Sequence, residues 1–248
     1  MRFTDKVVII TGAGQGLGAG YAKAFAGEGA SVVLAGRTGS KLQSVAADIQ
    51  NDPGVQSAGG KALPVTCDIS VEEDVRQLVA RAVDSFGTVD VLINNAAVHK
   101  SVLVEETSKE LWDLQIQVNL TGTFLCCREV LPLMKEKRYG KIINISSSAA
   151  KHYFPGFGAY AASKAGMVSL THTLSEEVKE YGINVNALYL GMTNTEYTRE
   201  RMNEDAAVTI PLDEMLQVDE VARVLLFFAS DDAAPIVGAA VDVFGKKA

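Results

Sequence analysis

The sequence predicts one α/β domain, in which a doubly wound, mostly parallel sheet of seven strands is flanked by helices. Short apolar runs rich in β-branched residues alternate with amphipathic segments along the 248 residues, as in a parallel sheet with helical crossovers. The first run leads directly into closely spaced glycines and then into a helix. No break in composition marks a boundary, so we expect 1–248 to form a single domain with its ligand at the carboxyl ends of the strands.

Composition and charge exclude several classes of function. Hydrophobic residues make up 48% of the chain, and the formal net charge is −7 without a block of like charge. Such an acidic chain favours neither nucleic acid nor anionic membranes as partners. No apolar run approaches the roughly 18 residues that span a membrane. The three cysteines form no C-x-x-C motif and the three histidines no metal-binding motif, so we expect buried thiols, no metal and a cytoplasmic location.

The amino-terminal segment is typical of a buried strand, a glycine-rich turn and a helix. Apart from Lys6, residues 6–11 form a continuous apolar or β-branched run, as in a strand that is buried on both faces. Such a turn lets the backbone approach a ligand closely and points helix N–H groups at a phosphate. The sequence therefore predicts dinucleotide binding here, the alternative being a purely structural turn. The residues concerned are Gly12, Gly14, Gln15, Gly16, Leu17 and Gly18.

The end of the second strand, residues 31–35, bears on the choice of coenzyme. Many NAD-binding folds carry an acidic residue there, which binds the ribose 2′-hydroxyl. Gly36 occupies that place here, and Arg37 follows it. Because a guanidinium can hold a 2′-phosphate with two hydrogen bonds, we expect NADP rather than NAD. Arg37 as a solvated loop charge is the alternative.

The next elements continue the alternation of helix and strand. We expect a helix at 41–49, a turn-rich loop at 51–60 and a third strand at 62–66. Ser70 and Glu73 have the spacing of a capping box, which predicts the start of another amphipathic helix.

The middle of the chain contains two strands and a long helical region. A fourth strand at 89–93 runs into the sequence Asn-Asn-Ala-Ala, and a fifth at 141–145 runs into three serines. Between them the pattern predicts a helix over 108–137. Asn119 lies in its middle, where asparagine is a poor helix former. From the pattern alone, Asn119 is equally compatible with a solvated defect and with a functional position.

The segment after the fifth strand carries the candidate chemistry. Tyr160 and Lys164 lie four residues apart at a predicted helix start, so both side chains share one face. The lysine charge favours phenolate and lowers the tyrosine pKa towards working pH, which suits proton transfer. Ser147, thirteen residues before Tyr160, can donate to an oxygen that develops charge, and its neighbours Ser146 and Ser148 are alternatives for this role. An ordinary amphipathic helix with a solvated lysine is the alternative.

The carboxyl-terminal third completes the sheet. The helix from Tyr160 is expected to run to residue 181, and a sixth strand to follow at 184–188. The polar segment 192–212 has a weak helical pattern, so we expect a lid over the site. Asp219 is expected to cap a last helix, and a final strand is expected at 239–244.

The chain resembles the short-chain dehydrogenase/reductase family over nearly its full length. The motif T-G-x-x-x-G-x-G is present at residues 11–18, and the motif N-N-A-G at 94–97 with alanine in place of the final glycine. Two motifs depart from the family pattern: Leu190 replaces the proline of Pro-Gly, and the terminal V-D-G-G is altered at 241–245. By resemblance, the family's catalytic positions are Asn119, Ser147, Tyr160 and Lys164.

The resemblance implies a Rossmann fold that transfers a hydride between NADP(H) and a carbonyl or secondary alcohol. Tyr160 would move the proton, Lys164 would lower its pKa and bind the nicotinamide ribose, and Ser147 would polarise the substrate oxygen. Asn119 would hold a water that links Lys164 to solvent. Besides the glycine turn and Arg37, the expected coenzyme-binding residues are Asp68, Ile69, Asn95, Ala96, Ala97, Tyr160, Lys164, Thr193 and Thr195.

The expected substrate pocket is apolar and aromatic, which favours a substrate with a hydrophobic group, although the same residues could simply pack in the core or lid. A 3-oxoacyl-thioester reductase is the main alternative and would want cations at the pocket mouth, such as Lys100, Lys151 and Arg199. A non-catalytic nucleotide sensor is a remote one. The resemblance also implies a homodimer or homotetramer. The expected pocket residues are Val98, Ala149, Phe154, Phe157, Tyr189, Met192, Tyr197 and Met202.

Overall fold

The computed structural model describes residues 1–204 and 211–245. Within them, seven strands form one parallel sheet, in the spatial order third, second, first, fourth, fifth, sixth and seventh. The order reverses between the first and fourth strands, which is where open α/β sheets bind ligands. The strands are β1 (Val7–Thr11), β2 (Ser31–Gly36), β3 (Lys61–Thr66), β4 (Val91–Asn94), β5 (Gly140–Ser147), β6 (Ile183–Leu190) and β7 (Ala240–Val243).

Helices connect the strands and cover both faces of the sheet. Short 3-10 turns lie at Val104–Glu106, Ser148–Ala150, Lys179–Tyr181 and Asp231–Ala233. The α-helices are α1 (Gly16–Gly27), α2 (Gly39–Asn51), α3 (Pro53–Ala58), α4 (Glu72–Phe86), α5 (Lys109–Ile116), α6 (Gly122–Lys137), α7 (Gly158–Val178), α8 (Glu196–Glu204) and α9 (Val218–Ala229).

Two large apolar clusters fill the space between the sheet and its helices. On one face, Tyr21 and Phe25 of α1 pack with Leu225 of α9 and with side chains of β1 and β2. On the other face, Leu78 of α4 and Met134 of α6 pack against alternate side chains of the same strands. The residues of β1 and β4 are buried throughout. The expected doubly wound α/β fold is therefore confirmed, and its sheet is parallel throughout rather than mostly so.

The turn-rich loop expected at 51–60 is wrong, because α3 occupies most of it. Asp52 caps this helix: its carboxylate accepts hydrogen bonds from the N–H groups of Gly54 and Val55. Pro53 takes the first helical position, where its missing N–H costs nothing, and Gly59 ends the helix with a φ of 75°. The proline and glycines that indicated a loop are thus the two ends of a helix.

Both expected side-chain caps are wrong as well. The hydroxyl of Ser70 donates to Asp68 at 2.6 Å instead of capping α4, whose first residue is Glu72. At the start of α9 the cap is Gln217, one residue before the helix, in a reciprocal pair with Glu220. Among the described residues, no side chain therefore caps the start of α4, whereas Gln217 takes the capping position expected for Asp219 in α9.

The long helix expected over 108–137 is interrupted by a π-helical turn, Gln117–Thr121, which joins α5 to α6. Asn119 lies in this turn and is fully buried. Its burial excludes the interpretation as a solvated defect. Single π turns within α-helices are frequent at functional sites.

The remaining boundaries differ little from expectation. Helix α7 begins two residues before Tyr160, and α8 gives a regular helix to the first half of the segment expected as a lid. Residues 205–210 of that segment lie outside the described residues. Across the described residues, no helix combines the length and the apolar character that crossing a bilayer requires.

Candidate active site

The expected site residues follow the carboxyl ends of neighbouring parallel strands. Thr11 ends β1 and Asn94 ends β4, and these two strands are hydrogen-bonded to each other. At the end of β5, Ser147 lies beside Leu190 of β6. The register of the sheet therefore brings the glycine turn, the Asn-Asn-Ala-Ala segment and the serine to one edge.

The glycine turn is packed too closely for any larger residue at two of its positions. Gly12 has a φ of +68°, and a Cβ there would lie 2.9 Å from the Cα of Ala96. A Cβ on Gly18 would lie 2.2 Å from the carbonyl oxygen of Gly12. At Gly16, by contrast, a Cβ would meet only Thr195, at 3.8 Å. A Cβ on Gly16 would therefore occupy the space in front of Thr195 at the start of α1, where helix N–H groups can bind a phosphate.

The Asn-Asn-Ala-Ala segment is tied to β1 by hydrogen bonds. Asn95 donates from its side chain to the carbonyl of Thr11 at 2.9 Å. The hydroxyl of Thr11 accepts from the backbone N–H groups of Asn95 and Ala96, both at 3.0 Å. Asn94 is buried and donates to Asn144 at 2.8 Å. Alanine at position 97 is exposed, so its extra methyl group meets no steric barrier.

Positive charge lies at the expected position of the adenosine ribose. Arg37 is exposed directly after β2. Burial acts to raise the pKa of Asp68, but hydrogen bonds from Ser70 and the Arg37 charge together hold that pKa below its ordinary value. Lys41, on the first turn of α2, donates a hydrogen bond to the side chain of Gln15. Sequence reasoning missed Lys41, although its spacing of four residues from Arg37 on a helix start could have indicated it.

Lys164 is buried and reaches across to β5. Its ammonium donates to the carbonyl of Ile145 at 2.7 Å. Burial, which penalises the charged form, lowers its pKa to about 7. The nitrogen lies 5.8 Å from the centroid of the Tyr160 ring. The structure thus brings together the pair that the four-residue spacing predicted.

Two adjacent serines at the end of β5 are distinguished by their hydrogen bonds. Ser146 is buried, and its hydroxyl donates to the backbone carbonyl of Lys164 at 3.1 Å. Ser147 is half-buried, and its hydroxyl oxygen accepts from the N–H of Ala149 at 3.2 Å. An oxygen that accepts in this way can still donate its own proton. The geometry therefore favours Ser147 for donation to a substrate oxygen.

The amide of Asn119 joins three elements. Its oxygen accepts from the N–H of Val98 at 2.8 Å, and its nitrogen donates to the carbonyl of Val98 at 2.9 Å. The same nitrogen donates to the hydroxyl of Ser163 at 3.0 Å, and that hydroxyl donates to the carbonyl of Tyr160 at 2.7 Å. Asn119 is thereby connected to the backbone that carries Tyr160.

Aromatic rings surround Tyr160, and we call His99, Phe154, Phe157 and Tyr160 the aromatic cluster. The ring centroid of His99 lies 4.4 Å from that of Phe157 and 4.6 Å from that of Tyr160. Phe154 lies 5.4 Å from Phe157 and is about half exposed. Sequence reasoning missed His99, because no motif distinguishes the residue that follows Val98.

The other expected pocket residues have mixed surroundings. Tyr197 is exposed, and its hydroxyl donates to the carbonyl of His99 at 3.2 Å. Met192 is exposed and Ala149 is buried. Tyr189 packs in a small core cluster, with the Lys151 nitrogen 4.1 Å from its ring centroid. The side chain of Met202 lies outside the described part of the structure.

The remaining expected coenzyme residues lie after β6 and after β3. Thr193 is buried, and its hydroxyl donates to the carbonyl of Gly191 at 3.2 Å. Thr195 caps α8 by accepting from the N–H of Thr198. Ile69 is buried beside Gly122 at the start of α6. Thr193 and Ile69 are therefore buried, and Thr195 is partly exposed.

A parallel sheet whose switch point combines a glycine turn with a buried lysine beside a tyrosine defines a nucleotide-dependent oxidoreductase of the α/β class. Comparison with known proteins identifies the family. A sequence model described as short chain dehydrogenase matches residues 6–206, and the chain belongs to this family of oxidoreductases, whose members bind nicotinamide cofactors.

Individual relatives span the whole chain. The 3-oxoacyl-(acyl-carrier-protein) reductase FabG of Thermotoga maritima is 35% identical over 248 residues, which covers 99% of this chain and 98% of the relative. The (2S)-[(R)-hydroxy(phenyl)methyl]succinyl-CoA dehydrogenase subunit BbsD of Thauera aromatica is 32% identical and covers 100% and 98%. A crystal structure of levodione reductase superposes with a TM-score of 0.90 at 30% identity and covers 98% of each chain.

Proposed function

We propose that the protein is an NADP-dependent reductase of small carbonyl compounds that carry a hydrophobic group, and that it also oxidises the corresponding secondary alcohols. The observation that carries this proposal is the buried Lys164 beside Tyr160, with Ser147 at the end of the adjacent strand. A non-catalytic nucleotide sensor would have no need of this set. A buried lysine with a pKa of about 7 is typical of groups that manage protons.

The protein's own residues would manage the proton and orient the substrate. During reduction, the Tyr160 hydroxyl would donate a proton to the carbonyl oxygen, and during oxidation it would accept one. The Ser147 hydroxyl would donate a hydrogen bond to the same oxygen as negative charge develops on it. Lys164 would favour the phenolate form of Tyr160 by its charge. Asn119 would hold the backbone of this helix start through Ser163. A bound nicotinamide coenzyme would supply or accept the hydride.

Residues on both sides of the sheet's switch point fit such a coenzyme. The glycine turn leaves space at Gly16, where a Cβ would meet only Thr195, so a pyrophosphate would find N–H donors there. Arg37 and Lys41 are the cations that would hold a 2′-phosphate. Two cations at this position support NADP over NAD.

The aromatic cluster supports a substrate with a flat or apolar group. Its rings adjoin Tyr160 and include the half-exposed Phe154. The segment 192–212 would close over this surface as a lid, with Tyr197 already bonded to the carbonyl of His99. An apolar wall next to the proton donor would exclude water from the reacting carbonyl.

Reduction of 3-oxoacyl thioesters is the second candidate, and the name of the Thermotoga maritima relative favours it. Two of the three cations expected to bind such a substrate are already paired with other side chains. Lys151 pairs with Asp242 at 2.5 Å, and Arg199 donates to Asn194 at 2.6 Å. Lys100 is exposed. One solvent-facing lysine is a weak recognition site for an acidic carrier, so the small carbonyl compound remains our first proposal.

A spectrophotometric screen tests the proposal. NADPH oxidation should be followed at 340 nm with cyclic and aryl ketones and with acetoacetyl-CoA, and NADH should be run in parallel. We expect turnover of a ketone with NADPH, and lower kcat/KM with NADH. Replacing Arg37 by serine should lower kcat/KM for NADPH by about 10-fold to 100-fold, the value of a charge-assisted hydrogen bond, with little effect on NADH.

Arg81→Ser is the matched control, because Arg81 is exposed on α4 and should leave both coenzymes unaffected. A preference of the wild type for NADH would overturn the NADP proposal. Turnover of the thioester alone would favour the second candidate over the first.

We also propose that the chain forms a homodimer, which can pair further into a homotetramer, and that it acts in the cytoplasm. The three cysteines are buried free thiols, which supports a reducing compartment.

Sedimentation of the wild type should give a species larger than 26.4 kDa, and Phe124→Asp should shift it towards the monomer. A monomeric wild type would contradict the proposed assembly. Apolar side chains exposed on and before α5 and α6 support the interface: Leu103, Val104, Trp112, Leu114 and Phe124.

A further inference from the structure

The backbone on either side of His99 is held by two buried amide side chains. Asn119 pairs with both the N–H and the carbonyl of Val98, at 2.8 and 2.9 Å. Gln115 pairs in the same way with Lys100: its oxygen accepts from the N–H at 3.3 Å, and its nitrogen donates to the carbonyl at 3.4 Å. The residue before His99 and the residue after it are therefore both hydrogen-bonded to the helical segment formed by α5 and the π turn.

The two amides act as a matched pair because of their spacing. Gln115 and Asn119 lie four residues apart, so they face the same side of the helical segment. Both side chains are at least 98% buried. A third side chain holds the same segment, because the Tyr197 hydroxyl donates to the carbonyl of His99 itself. A segment without regular secondary structure is thus anchored at three consecutive residues.

Such anchoring fixes where the imidazole lies. The His99 ring packs between Phe157 and Tyr160, tilted by 42° to the first and 57° to the second. The Tyr160 ring has Lys164 as its other near neighbour, and that lysine is held to β5. His99 is the ring closest to Tyr160 in the aromatic cluster, because Phe157 is 6.1 Å away.

We propose that His99 is a positioning residue for the reaction, which holds the ring of Tyr160 by packing against it and so aims the phenol at the substrate carbonyl. The proposal rests on the proposed function, in which Tyr160 is the proton donor. A phenol that can swing by about 1 Å loses much of its efficiency in proton transfer. Gln115 acts one step further away, since it holds the backbone that carries His99.

Kinetics of three variants provide the first test. With the best ketone substrate of the screen, His99→Ala should lower kcat about fivefold to tenfold, the value of one or two aromatic ring pairs, and leave KM for NADPH unchanged. His99→Phe keeps a flat ring and should stay within about twofold of the wild type. His172→Ala is the matched control, because His172 is an exposed histidine further along α7. Equal kcat for His99→Ala and the wild type would overturn the proposal.

A spectroscopic test needs no substrate. The chain contains seven tyrosines, and incorporation of 3-fluorotyrosine gives each a fluorine resonance. The resonance missing from Tyr160→Phe belongs to Tyr160. In His99→Ala this resonance should shift and broaden, in His99→Phe it should remain narrow, and in Gln115→Ala it should move in the same direction as in His99→Ala. An unchanged Tyr160 resonance in His99→Ala would overturn the proposal whatever the substrate is.

The proposed function and the positioning role of His99 can be contradicted separately. Full turnover by Tyr160→Phe would remove the proposed function and with it the role of His99. Loss of turnover in Tyr160→Phe, together with an unaffected His99→Ala, would leave the proposed function intact and remove only the positioning role.

Discussion

Replacing Tyr160 by phenylalanine is expected to lower kcat by about 10³-fold or more, since a positioned general acid contributes roughly 10²- to 10⁴-fold. The change removes one oxygen and keeps the ring that packs against His99. Stability should therefore change little. The binding of NADPH should also persist, because the glycine turn and Arg37 are untouched. Single-turnover rates and the fluorescence of bound NADPH measure the two effects independently.

The matched control for this experiment is Tyr181→Phe. Tyr181 lies in the 3-10 turn after α7, at the opposite end of the same helical segment, and its variant should retain wild-type kcat. A Tyr160→Phe variant with kcat within tenfold of the wild type would mean that another group supplies the proton. A variant that loses both turnover and NADPH binding would point to damage of the whole site instead.

The sheet was predictable because each strand has a local signal. Residues 7–11 form a continuous β-branched run and residues 141–145 contain three isoleucines, a composition that burial on both faces of a parallel strand favours. The glycine turn was predictable for a similar reason, since Gly12 and Gly18 have no space for a Cβ. In both cases the physical constraint, burial of a strand or close packing of a turn, acts on one short segment, and the composition of that segment indicates it.

The wrong predictions lie where the same residues are compatible with two different local structures. Pro53 alone indicates a turn, but it is the first residue of α3, and Asp52 directly before it caps that helix. Asn119 is a poor residue for an α-helix, and only its bonds to Val98 and Ser163 explain a buried π turn there. The sequence pattern allowed either outcome at each position.

One part of the candidate site cannot be predicted from the sequence. Tyr160, Lys164 and Ser147 were found through spacing and resemblance, because they form a motif. His99 packs against Tyr160 from 61 residues away in the chain, a distance over which no periodicity connects two side chains. Such residues become visible only when the fold brings them together.

Replacing Lys164 by methionine is expected to abolish turnover and yet to stabilise the coenzyme-free protein, most strongly at low pH. The folded protein releases the proton of Lys164 near pH 7, because the ammonium is buried, whereas an unfolded chain releases it near 10.4. Between these values the unfolded state binds more protons, so the wild type gains stability from this group as pH rises. Below pH 7 the full cost of burying the charge is present.

The size of the effect follows from the two pKa values. Between pH 6 and pH 9, the cost of burying Lys164 falls by about 2–3 kcal/mol, since one pKa unit corresponds to roughly 1.4 kcal/mol. Methionine does not titrate and loses the bond to the carbonyl of Ile145 equally at both pH values. The advantage of Lys164→Met over the wild type in free energy of unfolding should therefore be about 2–3 kcal/mol larger at pH 6 than at pH 9.

Denaturant unfolding of the coenzyme-free proteins at the two pH values measures this difference. Lys61→Met, at an exposed position on β3, should show the same stability difference from the wild type at both. An advantage of Lys164→Met that does not change with pH would mean that the lysine keeps its ordinary pKa in the folded protein. The site would then hold a permanently charged ammonium against Tyr160. If the advantage of Lys164→Met decreases as the pH rises, the buried charge of Lys164 destabilises the coenzyme-free protein, and binding of coenzyme and substrate can offset this destabilisation. A neutral Lys164 can then take up a proton at the pH of the reaction.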